Sequence, residues 1–97
     1  MTYTVKARFE KAFKRLNAPE RERVTEAVEQ LQKFFETRQA PEGLGVKKLF
    51  SREGLGAVFE ARASIAVRVL FSVDRDTVTY LMVGNHDDVR LFIRSFQ

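Results

Sequence analysis

The chain opens with an alternation of polar and apolar side chains. From Thr2 to Phe9 every second residue is apolar or aromatic, which is typical of a strand with one buried face. Beyond it, Ala12, Phe13 and Leu16 follow Phe9 at helical intervals, with basic residues on the opposite side. The pattern therefore predicts a strand followed by a short amphipathic helix.

The next segment predicts a second, longer helix. Asn17 is a favourable terminator for the first helix, and Pro19 is suited to the first position of another, which is expected to run to about Thr37. Its apolar stripe consists of Val24, Ala27, Val28, Leu31, Phe34 and Phe35. The two helices are expected to form an antiparallel hairpin with a tight turn.

Regular spacing is then lost between Arg38 and Gly56, where one proline and four glycines interrupt the pattern. This segment predicts a long, partly exposed loop. Three segments with strand-like spacing and short turns follow, at Ala57–Ala63, Ile65–Val73 and Thr77–Val83. They predict an antiparallel meander with one face against the helices.

The last segment, Asn85 to Phe96, combines capping residues with apolar side chains at helical spacing, and so predicts a final short helix. The resulting order is β-α-α-β-β-β-α. We expect an α+β domain in which two N-terminal helices pack on one face of a small antiparallel sheet. The other face should be open and should carry Arg68, with Arg62 nearby.

Length and composition limit the architecture further. Ninety-seven residues suffice for one domain, residues 1–97, and 44% hydrophobic with 31% charged residues is typical of a globular protein. The absence of cysteine excludes disulfides and thiolate metal sites. Long apolar segments and a signal-peptide pattern are also absent, so we expect a cytoplasmic protein without a membrane partner.

The charge distribution indicates an acidic partner. Seventeen basic residues against thirteen acidic ones give a net charge of +4. From Met1 to Lys48 there are eleven basic and seven acidic residues, whereas the remainder has six of each. The six basic residues of that second half are all arginine, whose forked guanidinium suits phosphate or carboxylate, although arginine stems also pack on sheet surfaces.

Candidate chemistry is limited to a few residues. Phosphate loops, dinucleotide fingerprints, nucleophile elbows and histidine pairs for a metal are all absent. The single histidine, His86, follows the last predicted strand, and three arginines accompany it in the second half: Arg62, Arg68 and Arg90. A histidine that acts as acid or base and cations that stabilise a charged phosphorane are suitable groups for RNA cleavage.

Each of these residues also has a purely structural interpretation. His86 could support a helix start capped by Asn85 or Asp87. Arg62 could pair with Glu60 on an exposed sheet face. The loop lysines Lys47 and Lys48 could be solvated charges.

Three short runs resemble a known family. They are Phe59-Glu60-Ala61-Arg62, Ala66-Val67-Arg68-Val69-Leu70-Phe71 and Val83-Gly84-Asn85-His86-Asp87-Asp88-Val89. Together with the order of elements, they resemble the RelE/ParE superfamily of toxins from bacterial toxin–antitoxin modules. The resemblance implies a RelE/ParE-like fold. It also implies either ribosome-dependent mRNA cleavage that inhibits translation, or inhibition of DNA gyrase.

The resemblance implies roles for individual residues and partners. Arg62 and Arg68 match strand arginines of the family, and His86 matches a basic or histidine position of the RNA-cleaving members. These three residues are expected to be catalytic, while Lys47, Lys48 and Arg90 are expected to bind RNA. Neither a metal nor another cofactor is expected. The expected partners are a cognate acidic antitoxin, the ribosome and mRNA.

The sequence departs from the family pattern at three positions. Val58 and Glu60 lie where RNA-cleaving members often carry basic residues, and Arg90 replaces a frequent tyrosine. A carboxylate on the reactive face reduces its positive charge. These departures favour the alternatives, whereas His86 within the run Gly84-Asn85-His86-Asp87-Asp88 favours a nuclease. The leading hypothesis is an endoribonuclease toxin. Its alternatives are a non-nuclease inhibitor of gyrase and a toxin-fold protein with little activity.

Overall fold

A computed structural model describes residues 1–39 and 43–96 of the chain. It contains three helices and five strands within these ranges. The helices are α1 (Ala7–Arg15), α2 (Ala18–Thr37) and α3 (His86–Arg94), and the strands are β1 (Thr2–Val5), β2 (Lys47–Arg52), β3 (Gly56–Arg62), β4 (Arg68–Asp74) and β5 (Thr77–Gly84). None of these helices has the length and apolar composition needed to cross a membrane.

The five strands form one sheet in the order β1-β5-β4-β3-β2. β3, β4 and β5 pair antiparallel in chain order, which confirms the predicted meander, and β2 adds to it by antiparallel pairing with β3. β1 pairs in parallel with the first half of β5, from Thr2 opposite Thr77 to Val5 opposite Tyr80. The predicted α+β class is confirmed, with one parallel strand pair that the sequence pattern did not indicate.

The predicted loop between Arg38 and Gly56 is wrong in part, because it contains the strand β2. Only Leu49 and Phe50 are apolar in this strand, and a register shift between Lys48 and Phe50 breaks its alternation. β2 also lies at an edge of the sheet, where polar side chains are tolerated on both faces. The predicted loop residues 40–42 lie outside the described ranges.

Two predicted strand boundaries also differ from the structure. The first strand ends at Val5, and α1 begins at Ala7, because Ala7 and Phe9 satisfy both the strand and the helix spacing. The segment before β4 is a turn in which the Ala63 and Ser64 N–H groups both donate to the Val67 carbonyl. Ile65 is consequently 94% exposed instead of lying in a strand.

The larger core lies between the sheet and the first two helices. Tyr80 of β5 is 2% exposed, and its ring centroid lies 5.8 Å from that of Phe9 in α1 and 6.4 Å from that of Phe71 in β4. Val24 and Leu31 of α2 are buried in the same cluster. Burial of these side chains holds the helical hairpin on this face.

The opposite face is not open, contrary to the prediction, because α3 packs on it. Val89 of α3 is buried with Val58, Leu70 and Leu81 of the sheet, and further α3 side chains pack around them. The central strands carry apolar side chains on both faces of the sheet. This pattern requires a packed layer on each side. The sheet beside the N-terminus of α3 remains accessible on this face.

The environment of Tyr80 predicts sensitivity to alkaline pH. Burial, together with the neighbouring Tyr3, raises the pKa of Tyr80 to about 12. An unfolded tyrosine ionises near pH 10, so the folded state retains a proton that the unfolded state has lost. The free energy of unfolding should therefore fall by on the order of 2–3 kcal/mol between pH 10 and 12. Denaturant titrations of the parent and of Tyr80→Phe measure the free energy of unfolding at each pH, and this energy should depend less on pH in the variant. An equal pH dependence would show that Tyr80 is not the group responsible.

Two glycines flanking the turn between β2 and β3 provide a test of that hairpin. Both residues have positive φ, +82° at Gly54 and +86° at Gly56. Their surroundings differ, because a Cβ at Gly56 would lie 2.3 Å from the Val73 carbonyl oxygen, whereas a Cβ at Gly54 would meet open space. We expect Gly54→Ala to reduce the free energy of unfolding by about 1–2 kcal/mol, and Gly56→Ala by roughly 3 kcal/mol or more. Urea denaturation of both variants measures the difference, and equal losses would exclude the close approach to β4.

Candidate functional site

A small polar cleft of about 180 Å³ lies at the end of the sheet beside the N-terminus of α3. It brings together four of the six residues that the sequence identified as candidates. Its lining consists of Gly45, Lys47, Glu60, Ala61, Arg62, Arg68 and His86. The cleft therefore concentrates cations, one carboxylate and the histidine in one place.

The strand register assembles this cleft. Arg62 of β3 lies opposite Arg68 of β4, which in turn lies opposite Gly84 of β5. On the other side of β3, Lys47 lies opposite Glu60. Since α3 starts two residues after Gly84, the same register brings His86 to the two arginines.

Arg68 and Glu60 form an ion pair at the centre of the cleft. The Nε atom of Arg68 lies 3.3 Å from Oε1 of Glu60, and the two side chains are 22% and 18% exposed. A second nitrogen of the guanidinium, Nη1 of Arg68, is buried and lacks a hydrogen-bond partner within the described part of the chain. A buried donor of this kind is suited to an oxygen of an anionic ligand.

Arg62 is held by the segment that precedes β2. Its backbone N–H donates to the carbonyl of Leu44 over 2.6 Å. A Cβ at Gly45 would lie 4.0 Å from the guanidinium carbon of Arg62, so this backbone passes close to the arginine. The structural alternative that Arg62 pairs with Glu60 is not observed, because Glu60 pairs with Arg68.

His86 is the first residue of α3, and its side chain is exposed. The helix is capped by its neighbours. Asn85 Oδ1 accepts a hydrogen bond from the N–H of Asp88 over 2.8 Å, and Asp88 Oδ2 accepts one from the N–H of Asn85 over 3.2 Å. Because this cap does not use the imidazole, the His86 ring is available to a ligand in the cleft.

Lys48 and Arg90 are not among the residues that line the cleft. Lys48 lies opposite Phe59, which packs against the core on the other face of the sheet. Arg90 lies on an exposed side of α3. Their expected role in RNA binding remains a prediction, and the geometry of the cleft provides no support for it.

Glu60 is the site residue that sequence reasoning did not assign to the chemistry. The signal was its spacing, because Glu60 and Arg62 are two residues apart in a strand and must share a face. From the sequence alone, the Glu60 carboxylate is expected only to reduce the positive charge of the candidate site. In the structure it is a second titratable group beside His86.

Across residues 1–39 and 43–96, no group of three or more acidic or histidine side chains could hold a metal ion.

Comparison with known proteins supports the fold through structure alone. No family model matches the chain. Curated proteins also yield no match. Among solved structures, the archaeal RelE–RelB complex from Pyrococcus horikoshii is similar at a TM-score of 0.63, with 22% identity over 87% of this chain and 92% of that chain. The RelB–RelE complex of Methanococcus jannaschii has a TM-score of 0.66, with 16% identity over 92% and 96%.

A third similar structure is the DinJ–YafQ complex of Escherichia coli, with a TM-score of 0.66 and 16% identity over 90% of this chain and 94% of that chain. The first is described as a RelE–RelB complex, the second as a RelB–RelE antitoxin–toxin complex, and the third as a DinJ–YafQ complex. The three alignments cover 87–92% of this chain. The chain therefore has the fold of the RelE and YafQ toxins, as its sequence motifs predicted.

Proposed function

We propose that this protein is the toxin of a toxin–antitoxin system, and that it cleaves mRNA on the ribosome and so inhibits translation. The observation that carries this proposal is the cleft in which His86, Glu60, Arg62 and Arg68 converge. The fold shared with RelE and YafQ toxins supports the general class. A cytoplasmic location follows from this target.

The cleft holds the groups that RNA cleavage requires. In this reaction a base removes the proton of a 2′-hydroxyl, the 2′-oxygen forms a bond to phosphorus, and the bond to the 5′-oxygen breaks as an acid protonates it. The products are a 2′,3′-cyclic phosphate and a free 5′-hydroxyl. The two arginines stabilise the non-bridging oxygens, whose negative charge increases in the transition state.

His86 and Glu60 are the two residues in the cleft suited to proton transfer. Glu60 is the candidate base, because its carboxylate accepts protons and lies beside the arginine that binds the phosphate. His86 is the candidate acid, because histidine is a common proton donor in catalysis and this exposed side chain lines the same cleft as the two arginines. Arg68 holds the carboxylate in place through its Nε, and the part of its side chain that remains exposed in the cleft is the candidate contact for the phosphate.

Dependence on the ribosome is consistent with the size of this site. A cleft of about 180 Å³ accommodates a phosphate group but not a whole nucleotide with its base. Contacts outside the cleft would then contribute to positioning the RNA. A ribosome that holds mRNA in a defined conformation provides that positioning, which lowers the entropic cost of reaching the reactive geometry.

An acidic antitoxin is the proposed partner in the cell. The net charge of +4 and the basic excess of the first half attract an acidic chain. Two of the similar structures, a RelB–RelE complex and a DinJ–YafQ complex, are described as toxin–antitoxin complexes. A segment that folds on binding would cover the basic surface and keep the toxin inactive.

The first functional prediction concerns the proton-transfer residues. We expect His86→Ala to slow cleavage of a ribosome-bound mRNA by about 10²-fold or more, since an acid or base contributes this much. Arg68→Ala should produce a loss of similar size. The measurement is the cleavage rate in a reconstituted translation reaction, with circular dichroism to verify folding. Arg94→Ala, which removes an exposed arginine in the last turn of α3 and outside the cleft, is the matched control.

The outcomes separate the proposed function from its alternatives. If folded His86→Ala cleaves as fast as the parent, His86 is not the acid. If the parent chain leaves mRNA intact but inhibits supercoiling by DNA gyrase, the gyrase alternative replaces the nuclease. If it does neither and expression does not stop bacterial growth, the chain is a toxin-fold protein with little activity.

The two adjacent lysines provide a second functional prediction. Lys47 lines the cleft and Lys48 does not. Lys47→Ala should weaken RNA binding and flatten the plot of log affinity against log salt by about 0.7, the contribution of one phosphate contact in a single strand. Lys48→Ala should leave the slope unchanged. Filter binding across a salt series measures both, and an equal effect of the two variants would place the RNA elsewhere.

A further inference from the structure

The connection between β5 and α3 is very short. Gly84 ends β5 opposite Arg68 of β4, and His86 begins α3, so that Asn85 alone joins the two elements. Both ends of this connection are packed, because Gly84 is buried and Val89, at the fourth position of α3, is 2% exposed in the core beneath that helix. The position of His86 in the cleft therefore depends on the geometry of a one-residue connection.

Gly84 leaves room for the side chain of Asp88. A Cβ at Gly84 would lie 2.8 Å from both Cβ and Oδ2 of Asp88, and 3.2 Å from its Cγ. These distances are shorter than van der Waals contact, so a larger residue at position 84 would have to displace the carboxylate. Gly84 is not one of the glycines with positive φ. Its role is therefore to provide space, and not to permit an unusual backbone conformation.

The carboxylate in this space holds the connection through Asn85. Oδ2 of Asp88 accepts a hydrogen bond from the N–H of Asn85 over 3.2 Å, and Oδ1 of Asn85 accepts one from the N–H of Asp88 over 2.8 Å. The carbonyl of Asn85 also accepts a hydrogen bond from the N–H of Val89 over 3.1 Å. Since His86 lies between these bonded residues, a rotation of the chain at Asn85 would break several hydrogen bonds.

Helix capping by itself does not require this contact with the strand. The capping box of α2 forms the same two hydrogen bonds between Asn17 and Glu20. There the residue before the N-cap is Leu16, whereas in α3 it is Gly84. The shorter carboxylate of Asp88, placed against a residue without a side chain, therefore joins α3 to the end of the sheet as well as capping it.

Asp88 is not among the residues that line the cleft, whereas His86 is. We propose that Asp88 is a positioning residue of the cleft. Placed against Gly84, its carboxylate holds the connection that brings His86 beside the two arginines. The inference rests on the proposed function, in which His86 protonates the leaving oxygen. A proton donor must lie within hydrogen-bond reach of that oxygen, so the rate of the chemical step should depend on Asp88.

The experiment measures kcat and KM for cleavage of a ribosome-bound mRNA by the full chain. Asp88→Ala should lower kcat by about tenfold or more and change KM less than about twofold, because the arginines that bind the phosphate remain. Asp88→Asn should retain kcat within about threefold, because its amide oxygen can accept the same hydrogen bond. Glu20→Ala removes the equivalent cap of α2, outside the cleft, and is the matched control that should leave kcat unchanged.

Double variants test whether Asp88 acts through its two neighbours. In a His86→Ala background, Asp88→Ala should cause no further loss of kcat, because the residue that it positions is already absent. Gly84→Ala should lower kcat as Asp88→Ala does, and the combination of the two should be no slower than Gly84→Ala alone. If Gly84→Ala does not fold, the Asp88 variants decide the question.

Amide hydrogen exchange at Asn85 measures the contact without RNA. Exchange should be about tenfold faster in Asp88→Ala than in the parent or in Asp88→Asn, because the N–H loses its acceptor. The proposal is overturned if Asp88→Ala lowers kcat no more than Glu20→Ala, if it slows His86→Ala as strongly as the parent, or if it raises KM instead. A parent chain that cleaves no mRNA contradicts the proposed function. The exchange rate then tests the contact separately, and unchanged exchange in Asp88→Ala would show that Asp88 does not hold the connection.

Discussion

The rest of the structure depends on the burial of both faces of the central strands. Val69 and Phe71 of β4 point into the core beneath α1 and α2, while Leu70 of the same strand points into the core beneath α3. A strand that is apolar on both sides cannot leave one face in water at an acceptable free energy. The final helix must therefore return across the sheet, and this requirement determines where its N-terminus lies.

That return brings the candidate chemistry together. The register of the sheet aligns Arg62, Arg68 and Gly84 across three strands, and α3 begins two residues later with His86. The packing of α3 covers the apolar part of this face and leaves only its polar end accessible. A single packing constraint thus defines both a buried layer and the cleft at its margin, so the reactive groups are held by rigid elements.

Electrostatics inside the cleft follow from the same arrangement. Glu60 neutralises part of the charge of Arg68, yet Nη1 of that guanidinium remains buried without a partner among the described residues. A fully paired arginine would gain little from a phosphate, whereas an isolated one would be costly to bury. A half-paired arginine is stabilised in the folded protein and retains a donor for an anion.

The local sequence determined the three helices, the meander of β3 to β5 and the capped start of α3, because each depends on spacing and capping within a few residues. The motifs around Arg62, Arg68 and His86 also indicated the fold that the structural comparisons support. Only the tertiary structure showed the strand β2. It forms by pairing with β3, although its own residues do not alternate between polar and apolar side chains. It also decided which face α3 covers, that Glu60 joins the cleft, and that Lys48 and Arg90 do not line it. These features depend on contacts between residues far apart in the chain. The spacing of apolar residues within one element does not show which distant segment packs against it.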